Sequence, residues 1–394
     1  MDSMNLKKLL LIPMLFTSLS AKELLNDFQK AMDNSTTKGE LSLLNDNGKL
    51  KDKAYETALI YGNLHFESSN KAALQLGLTM EALIPTYNGK QRNALGHLDP
   101  ENQSVEILSE AYLKFIDDRN FLTFGRQIID TPLLNSDSTA LISQSYNGYL
   151  YEYKVNSDTF FLLGHMNQFH LNNSETFSAI SAKGRAKQGI SFIGSEDVQE
   201  NGLSTKLYYY YSKELYDAFF LQMDKIWSFK TSKLLMGFQN INTAKNHQSK
   251  NLIANHADTH ITGIRVGLKT GGFSTVILAS QNSANAALNQ GYGGLSHLYL
   301  NSLIGNLQHD GEYQSVGVKL HYDFRAFGWD NLDSTFLYKE TKYQDNPLLN
   351  SKSNYFTLHY DKSKEGGLYF DIEGVTYENQ KSDSLARARY TLKF

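Results

Sequence analysis

The last ten residues, Leu385-Ala386-Arg387-Ala388-Arg389-Tyr390-Thr391-Leu392-Lys393-Phe394, alternate without a break. Ala386, Ala388, Tyr390, Leu392 and Phe394 share one phase, and Arg387, Arg389, Thr391 and Lys393 the other. Successive strand side chains point to opposite faces, so the segment has one apolar face and one cationic face. The same rhythm runs through most of the chain in segments of about ten residues. Two architectures suit it: a sheet closed on itself, or two stacked layers with a dry middle.

The segments run from Lys38–Leu44 to the terminal strand and number about eighteen. In Ala54–Phe66, Ala58, Ile60, Leu64 and Phe66 oppose Thr57, Tyr61, Asn63 and His65. In Val105–Ile116, the expected outward set is Val105, Ile107, Ala111, Leu113 and Phe115, with Glu106, Glu110 and Lys114 inward. Asn120–Gln127 breaks the pattern, because Arg126 shares the phase of Leu122 and Phe124; a bulge near Gly125 would restore it. The connections alternate in length. Asp117–Arg119, Asn156–Ser157 and Thr270–Gly271 are tight, whereas Ile84–Ser104, Ile128–Ser145 and Asn282–Glu312 are long.

Composition agrees with a closed sheet between lipid and water. Hydrophobic residues make up 41% and mean hydropathy is −0.41, as expected when only every second strand residue faces lipid. The 24 Tyr and 22 Phe suit aromatic rings at membrane interfaces. There are no cysteines, which excludes disulfides, thiolate metal sites and thiol catalysis. A net charge of −3 without a long basic run gives no support to nucleic-acid binding. Four of the 5 prolines, Pro85, Pro100, Pro132 and Pro347, fall outside the expected strands.

The N-terminus reads as an export signal over residues 1–20. Lys7 and Lys8 precede the apolar run Leu9–Phe16, and cleavage follows Ser20 or Ala21. Lys22–Asp33 carries Leu24, Leu25, Phe28, Ala31 and Met32 at helical spacing. It is expected as a periplasmic helical lead-in over 21–35, before a barrel over 36–394.

The run Phe124-Gly125-Arg126-Gln127-Ile128-Ile129-Asp130-Thr131-Pro132-Leu133-Leu134-Asn135-Ser136-Asp137 resembles the opening of the third long loop of OprD-type outer-membrane porins. Gly39-Glu40-Leu41, Tyr322-Asp323-Phe324 and the final Phe394 add to the resemblance, which spans about Asp27 to Phe394. It implies an all-β, transmembrane, antiparallel up-and-down β-barrel of eighteen strands, with short periplasmic turns and long extracellular loops. It further implies a monomer or loose trimer that passes small water-soluble nutrients without a cofactor. In such porins the third loop folds inward and a row of basic side chains lines the wall. Tyr390, Leu392 and Phe394 would then serve as the insertion signal read by the barrel-assembly machinery. The chain departs from the family at Ser138-Thr139-Ala140-Leu141, which lacks the usual Arg and Pro, and at Ser42, where Arg is common.

Lys114, Lys154, Arg265, Lys269, Lys319, Arg387 and Arg389 fall in the inward phase, and with Arg126 they form the expected basic track. The plain reading is a hydrated wall balanced by Glu81, Glu106, Glu110, Glu152, Asp323, Asp371 and Glu373. Asp130, Thr131, Pro132, Asn135 and Asp137 mark the constriction loop; the two acids either set a transverse field or hold Asx turns. His247, His256 and His260 lack the closed geometry of a metal site, and Gly291–Gly294 lacks the ending of a phosphate loop. The alternatives to a pore are an adhesin or anchoring barrel, and an outer-membrane hydrolase built on Ser280 and His297.

Overall fold

A computed structural model describes residues 32–33, 35–69, 73–86, 93–136, 141–180, 188–245, 258–283, 299–300, 311–362, 364–379 and 381–394. Asp137, His247, His256, Gly291–Gly294, His297 and the export signal lie outside them. Of Lys22–Asp33, only Met32 and Asp33 are described, and both are helical.

The described strands form one antiparallel sheet of 19, of which one, Ser178–Ala179, is a two-residue piece on the edge of its neighbour. The other eighteen make the wall. They are β1 (Thr36–Leu50), β2 (Lys53–Glu67), β3 (Leu74–Pro85), β4 (Val105–Asp117), β5 (Asn120–Gln127), β6 (Ser145–Lys154), β7 (Thr159–His170), β8 (Ile190–Val198) and β9 (Leu203–Tyr211). Then follow β10 (Tyr216–Ser228), β11 (Ser232–Lys245), β12 (Thr259–Thr270), β13 (Phe273–Asn282), β14 (Tyr313–Asp323), β15 (Leu332–Tyr343), β16 (Ser351–Asp361), β17 (Gly366–Tyr377) and β18 (Ser382–Lys393). Each pairs with its sequence neighbours, and β18 pairs with β1 from Glu40↔Lys393 to Lys49↔Ser384. The sheet is therefore closed, and a wall strand has a hydrogen-bonded neighbour on both sides.

Eight connections gather at one end of the barrel, and all are short. The other end carries the long ones, although 51–52, 212–215, 344–350 and 378–381 there are short as well. The strict alternation of length expected from the sequence therefore holds at one end only. A turn at the other end needs only to link neighbouring strands, and nothing in the ladder demands a long one.

The two faces separate as the dyad rhythm requires. Leu41, Leu43, Leu64, Met80, Ile193, Ile264, Leu268, Ile277, Phe370, Ile372, Tyr390 and Leu392 are exposed on the outside. Ser42, Thr57, Gln75, Thr79, Gln239, Ser315, Thr357 and Thr391 are buried on the inside. An outward apolar skin over polar inner positions is what lipid on one side and water on the other select.

Three local readings need correction. In β4, Val105 and Ile107 are buried on the inner side, whereas Glu106 is exposed. The cause is one extra residue: Thr79 faces Glu110 and Met80 faces Leu108, so Ser109 is a bulge that reverses the phase before it. No bulge occurs at Gly125, whose neighbours stay in register with β4 and β6; the glycine takes φ 113° instead. Pro85 is the last residue of β3, a strand end where its missing N–H costs the ladder nothing.

β1 runs six residues beyond the expected Leu44, through the turn-like Asn45-Asp46-Asn47-Gly48. Its partners β2 and β18 continue alongside and supply backbone hydrogen bonds there. At the other end of the seam Gly39 N donates to Phe394 O (2.8 Å) and Phe394 N to Gly39 O (3.0 Å). The Phe394 ring lies over Gly39, so a Cβ at that position would come within 2.3 Å of it. Gly39→Val should displace the ring and weaken the closing seam by about 1–3 kcal/mol. Heat-modifiable migration on gels after refolding measures this; an unchanged folded fraction in mild denaturant would remove the seam from the argument.

Candidate functional site

Acids and cations both line the inner wall. On β2 to β4, Tyr61 Oη donates to Glu81 Oε1 (2.7 Å), Thr79 Oγ1 to Glu110 Oε2 (2.6 Å), and Tyr112 Oη to Glu67 Oε1 (2.9 Å). These hydroxyls hold carboxylates against the sheet. β12 to β18 carry the cations Arg265, Lys319, Lys339, Arg387 and Arg389, with the acids Asp371 and Glu373 of β17 among them.

The cations of the expected track meet different fates. Arg387 is saturated: its Nε and Nη2 donate to the two oxygens of fully buried Asp46 at 2.8 and 2.9 Å. His97 Nε2 lies 3.1 Å from both Asp46 Oδ2 and Arg387 Nη2, which ties the 93–104 segment onto the wall. Arg265 pairs with Asp224 (2.7 Å) and stacks on Tyr299 (4.4 Å). Gly237 beside them leaves the space, since a Cβ would lie 2.2 Å from Asp224 Oδ1. The Tyr299 phenol, in a connecting segment, is pushed up by burial and by the Asp224 charge. Lys114 and Lys154 both sit over the Phe121 ring, at 5.2 and 4.5 Å, with Glu152 3.3 Å from Lys154. Arg389 stacks on Tyr369 at 4.5 Å. Lys269 lies at the short-turn end, within electrostatic reach of Asp323, which itself pairs with Arg325. Lys319 is exposed to the bore and has no ion-pair partner among the described residues. Arg126 keeps the outward phase of Phe124. Its guanidinium nevertheless stacks on Phe177 (4.5 Å), a side chain packed on the inner cluster around Leu44, Leu59 and Leu83.

The segment after β5 has few free polar groups. Thr131, Pro132 and Asn135 are buried. Asn135 Nδ2 donates to Thr131 O (3.1 Å) and Pro132 O (3.3 Å), so these residues hold the turn itself. Tyr210 Oη donates to Thr131 Oγ1 (3.0 Å), and Tyr146 Oη donates to Asn135 O (3.1 Å). Leu133 and Leu134 are completely buried in the cluster that includes Tyr208, Tyr210 and Phe220. Farther on, Ser143 N donates to Glu81 Oε1 (3.2 Å), and Leu141 and Ile142 pack with Leu83, Leu98 and Val105. Asp130 remains exposed, within electrostatic reach of Tyr208.

The sequence reading passed over Asp46, His97, Asp224, Glu196, Lys206 and Lys339. Asp46 sat in a turn-like run. Asp224 had a readable inward phase. Lys206 pairs with Glu196 (2.8 Å), and buried Lys339 donates to Leu300 O (3.0 Å); the latter contact comes from a distant loop that no local pattern encodes. Of the other candidates, Ser280 lies 3.5 Å from the Tyr313 hydroxyl and His260 contacts Asn242.

The buried Asp46–Arg387 pair generates a test. Arg387→Leu should cost about 3–5 kcal/mol by stranding Asp46, and the double variant with Asp46→Leu should recover most of that loss. Equilibrium urea unfolding in detergent reads it; equal losses in single and double variants would deny the coupling.

A family model described as outer membrane porin, OprD family, matches residues 110–363, more than half of the chain. No curated protein matches it in sequence. Among solved structures, Pseudomonas aeruginosa OpdK with vanillate has a TM-score of 0.81 at 13% identity, covering 92% of this chain and 99% of that one. Pseudomonas aeruginosa OccK9 (OpdG) has a TM-score of 0.81 at 14% identity, with the same coverage of 92% and 99%. Acinetobacter baumannii OccAB4 has 0.77 at 17% identity, covering 92% and 98%. The eighteen-stranded closed wall is common to them and to this chain, which belongs to the OprD family of porins and lies in the bacterial outer membrane.

Proposed function

We propose that this porin passes small charged or zwitterionic solutes, and that the segment 128–144 narrows its bore. One observation carries the reading. The segment is held at one part by Tyr210 of β9 and at another by Glu81 of β3, so its anchors lie on separated stretches of the inner wall. Anchors so far apart on the wall support a course across part of the lumen.

A narrow, weakly solvated passage makes wall charges effective over the width of a solute. Lys319 on β14 and Arg389 on β18 offer cationic contacts. Glu81 on β3 and Glu110 on β4 lie on the wall far from Lys319, the exposed Asp130 comes soon after β5, and Asp137 follows it in sequence. A solute with a carboxylate and an ammonium group would be aligned by such a field. The similar OpdK structure was obtained with vanillate, which supports a carboxylate as the ligand of these cations. Transport would be passive, with the two arginine–aspartate pairs acting as wall rather than as binding groups. We further propose that Tyr390, Leu392 and Phe394 present the outward face that the assembly machinery recognises.

Two measurements test this in planar bilayers. Leu133→Asp with Leu134→Asp should undock the segment and raise single-channel conductance; an unchanged conductance rejects the narrowing. Lys319→Gln with Arg389→Gln should lower the anion-over-cation permeability ratio by roughly an order of magnitude at low salt, read from the reversal potential. An unmoved reversal potential would leave these side chains as a hydrated wall only.

A further inference from the structure

The β1–β2 hairpin stands taller than the strands that follow it. Pro85, the last residue of β3, pairs with Leu59, and β4 begins at Val105 opposite Leu83. Leu50 and Lys53, at the hairpin tip, lie six residues beyond the Leu44↔Leu59 pair. A free hairpin of that height would expose its inner face. Its inner residues Asp46, Tyr55 and Thr57 are nevertheless buried.

The segment 93–104 supplies the cover. It is held in shape by its own hydrogen bonds. Asn93 Nδ2 donates to Leu98 O (2.9 Å) and Asp99 O (2.8 Å), Leu98 N donates to Asn93 Oδ1 (2.8 Å), and Gln103 N donates to Asp99 Oδ1 (2.6 Å). Gly96, at φ 71°, turns the chain just before His97 and Leu98. These are the two buried residues of 93–104, and they reach different strands. His97 meets Asp46 of β1 and Arg387 of β18, which stand opposite each other in the closing ladder. Leu98 lies in the apolar cluster of Leu44, Leu59, Leu83 and Val105, which belong to β1 to β4. A segment that leaves β3 and returns to β4 is thus seated on the inner wall as far round as β18. Leu141 and Ile142, from the far part of 128–144, complete the same cluster.

We infer that 93–104 is a second element narrowing the mouth of the bore, seated on the Asp46–Arg387 pair by His97. The inference extends the proposed narrowing by 128–144 to another segment. Leu98 supplies adhesion, which is non-directional. His97 supplies register, because a ring nitrogen set between a carboxylate and a guanidinium fixes one seat. It is a positioning residue. Arg387 and Asp46 bond to each other directly, so changes at His97 leave the closing ladder in place.

The chain has no cysteine, so one introduced thiol reports on the seat. In the folded full chain in liposomes, Leu98→Cys should react with a maleimide roughly tenfold or more slowly than exposed Glu101→Cys. Adding His97→Ala should speed labelling of Leu98→Cys roughly tenfold, as loss of a charge-assisted hydrogen bond implies. Adding His97→Gln should leave it slow, since an amide offers a donor and an acceptor. In planar bilayers, His97→Ala with Leu98→Ser should raise single-channel conductance and admit larger polyethylene glycols, whereas His97→Gln should keep wild-type values. Heat-modifiable migration certifies that each variant is folded. Equal labelling with and without His97→Ala, or fast labelling with His97→Gln, removes His97 as the positioning residue. Unchanged conductance in the His97→Ala, Leu98→Ser variant overturns the second narrowing. Leu133→Asp with Leu134→Asp keeps the two readings apart, because it leaves His97 and Leu98 in place. A rise in that variant alone sinks only the present inference, and a rise in the His97 variant alone sinks only the narrowing by 128–144.

Discussion

Every backbone N–H and C=O that crosses a bilayer must find its partner within the protein, because hydrocarbon offers none. In this porin that requirement is met by one contact between distant parts of the chain, the pairing of β1 with β18. Without it the sheet would present two unsatisfied edges to lipid. The closing ladder runs from Glu40 to Lys49, and residues Gly39 and Phe394 extend it by two reciprocal backbone bonds. The small residue at position 39 makes room for the terminal ring, so local sequence and global closure depend on each other.

Closure also decides what the polar face can do. Once the inner positions surround a shared lumen, acids and cations from strands far apart in sequence stand within reach of each other. Asp46 and Arg387 are 341 residues apart and form a buried bidentate pair. Arg265 reaches Asp224 across one intervening strand, with two of its nitrogens on one carboxylate oxygen. Such pairs need good geometry to offset desolvation, and a rigid closed wall provides it. They leave a smaller set of cations, Lys319 and Arg389 among them, without a carboxylate attached among the described residues. The cationic row expected from the resemblance thus divides into wall and solute-facing groups.

The strand plan was largely legible because a dyad pattern is a local property, and lipid on one side makes it strict. All eighteen expected segments correspond to wall strands. The misreadings have particular causes. Ser109 reverses the phase of β4 by its mere insertion, and a single extra residue leaves no compositional trace. Asn45 to Gly48 look like a turn, yet flanking strands on both sides keep them extended. Arg126 shows the limit of phase as a guide: its backbone position says outward, while its long side chain reaches the Phe177 ring.

What this sequence determined by itself was the number of strands, their two faces and the family, since these follow from alternation and from a contiguous motif. Tertiary structure alone decided which charges are neutralised, where His97 and Leu98 dock, and which walls hold the segment after β5. Those outcomes depend on distances between residues far apart along the chain. No local period encodes such distances, and only the closed sheet sets them.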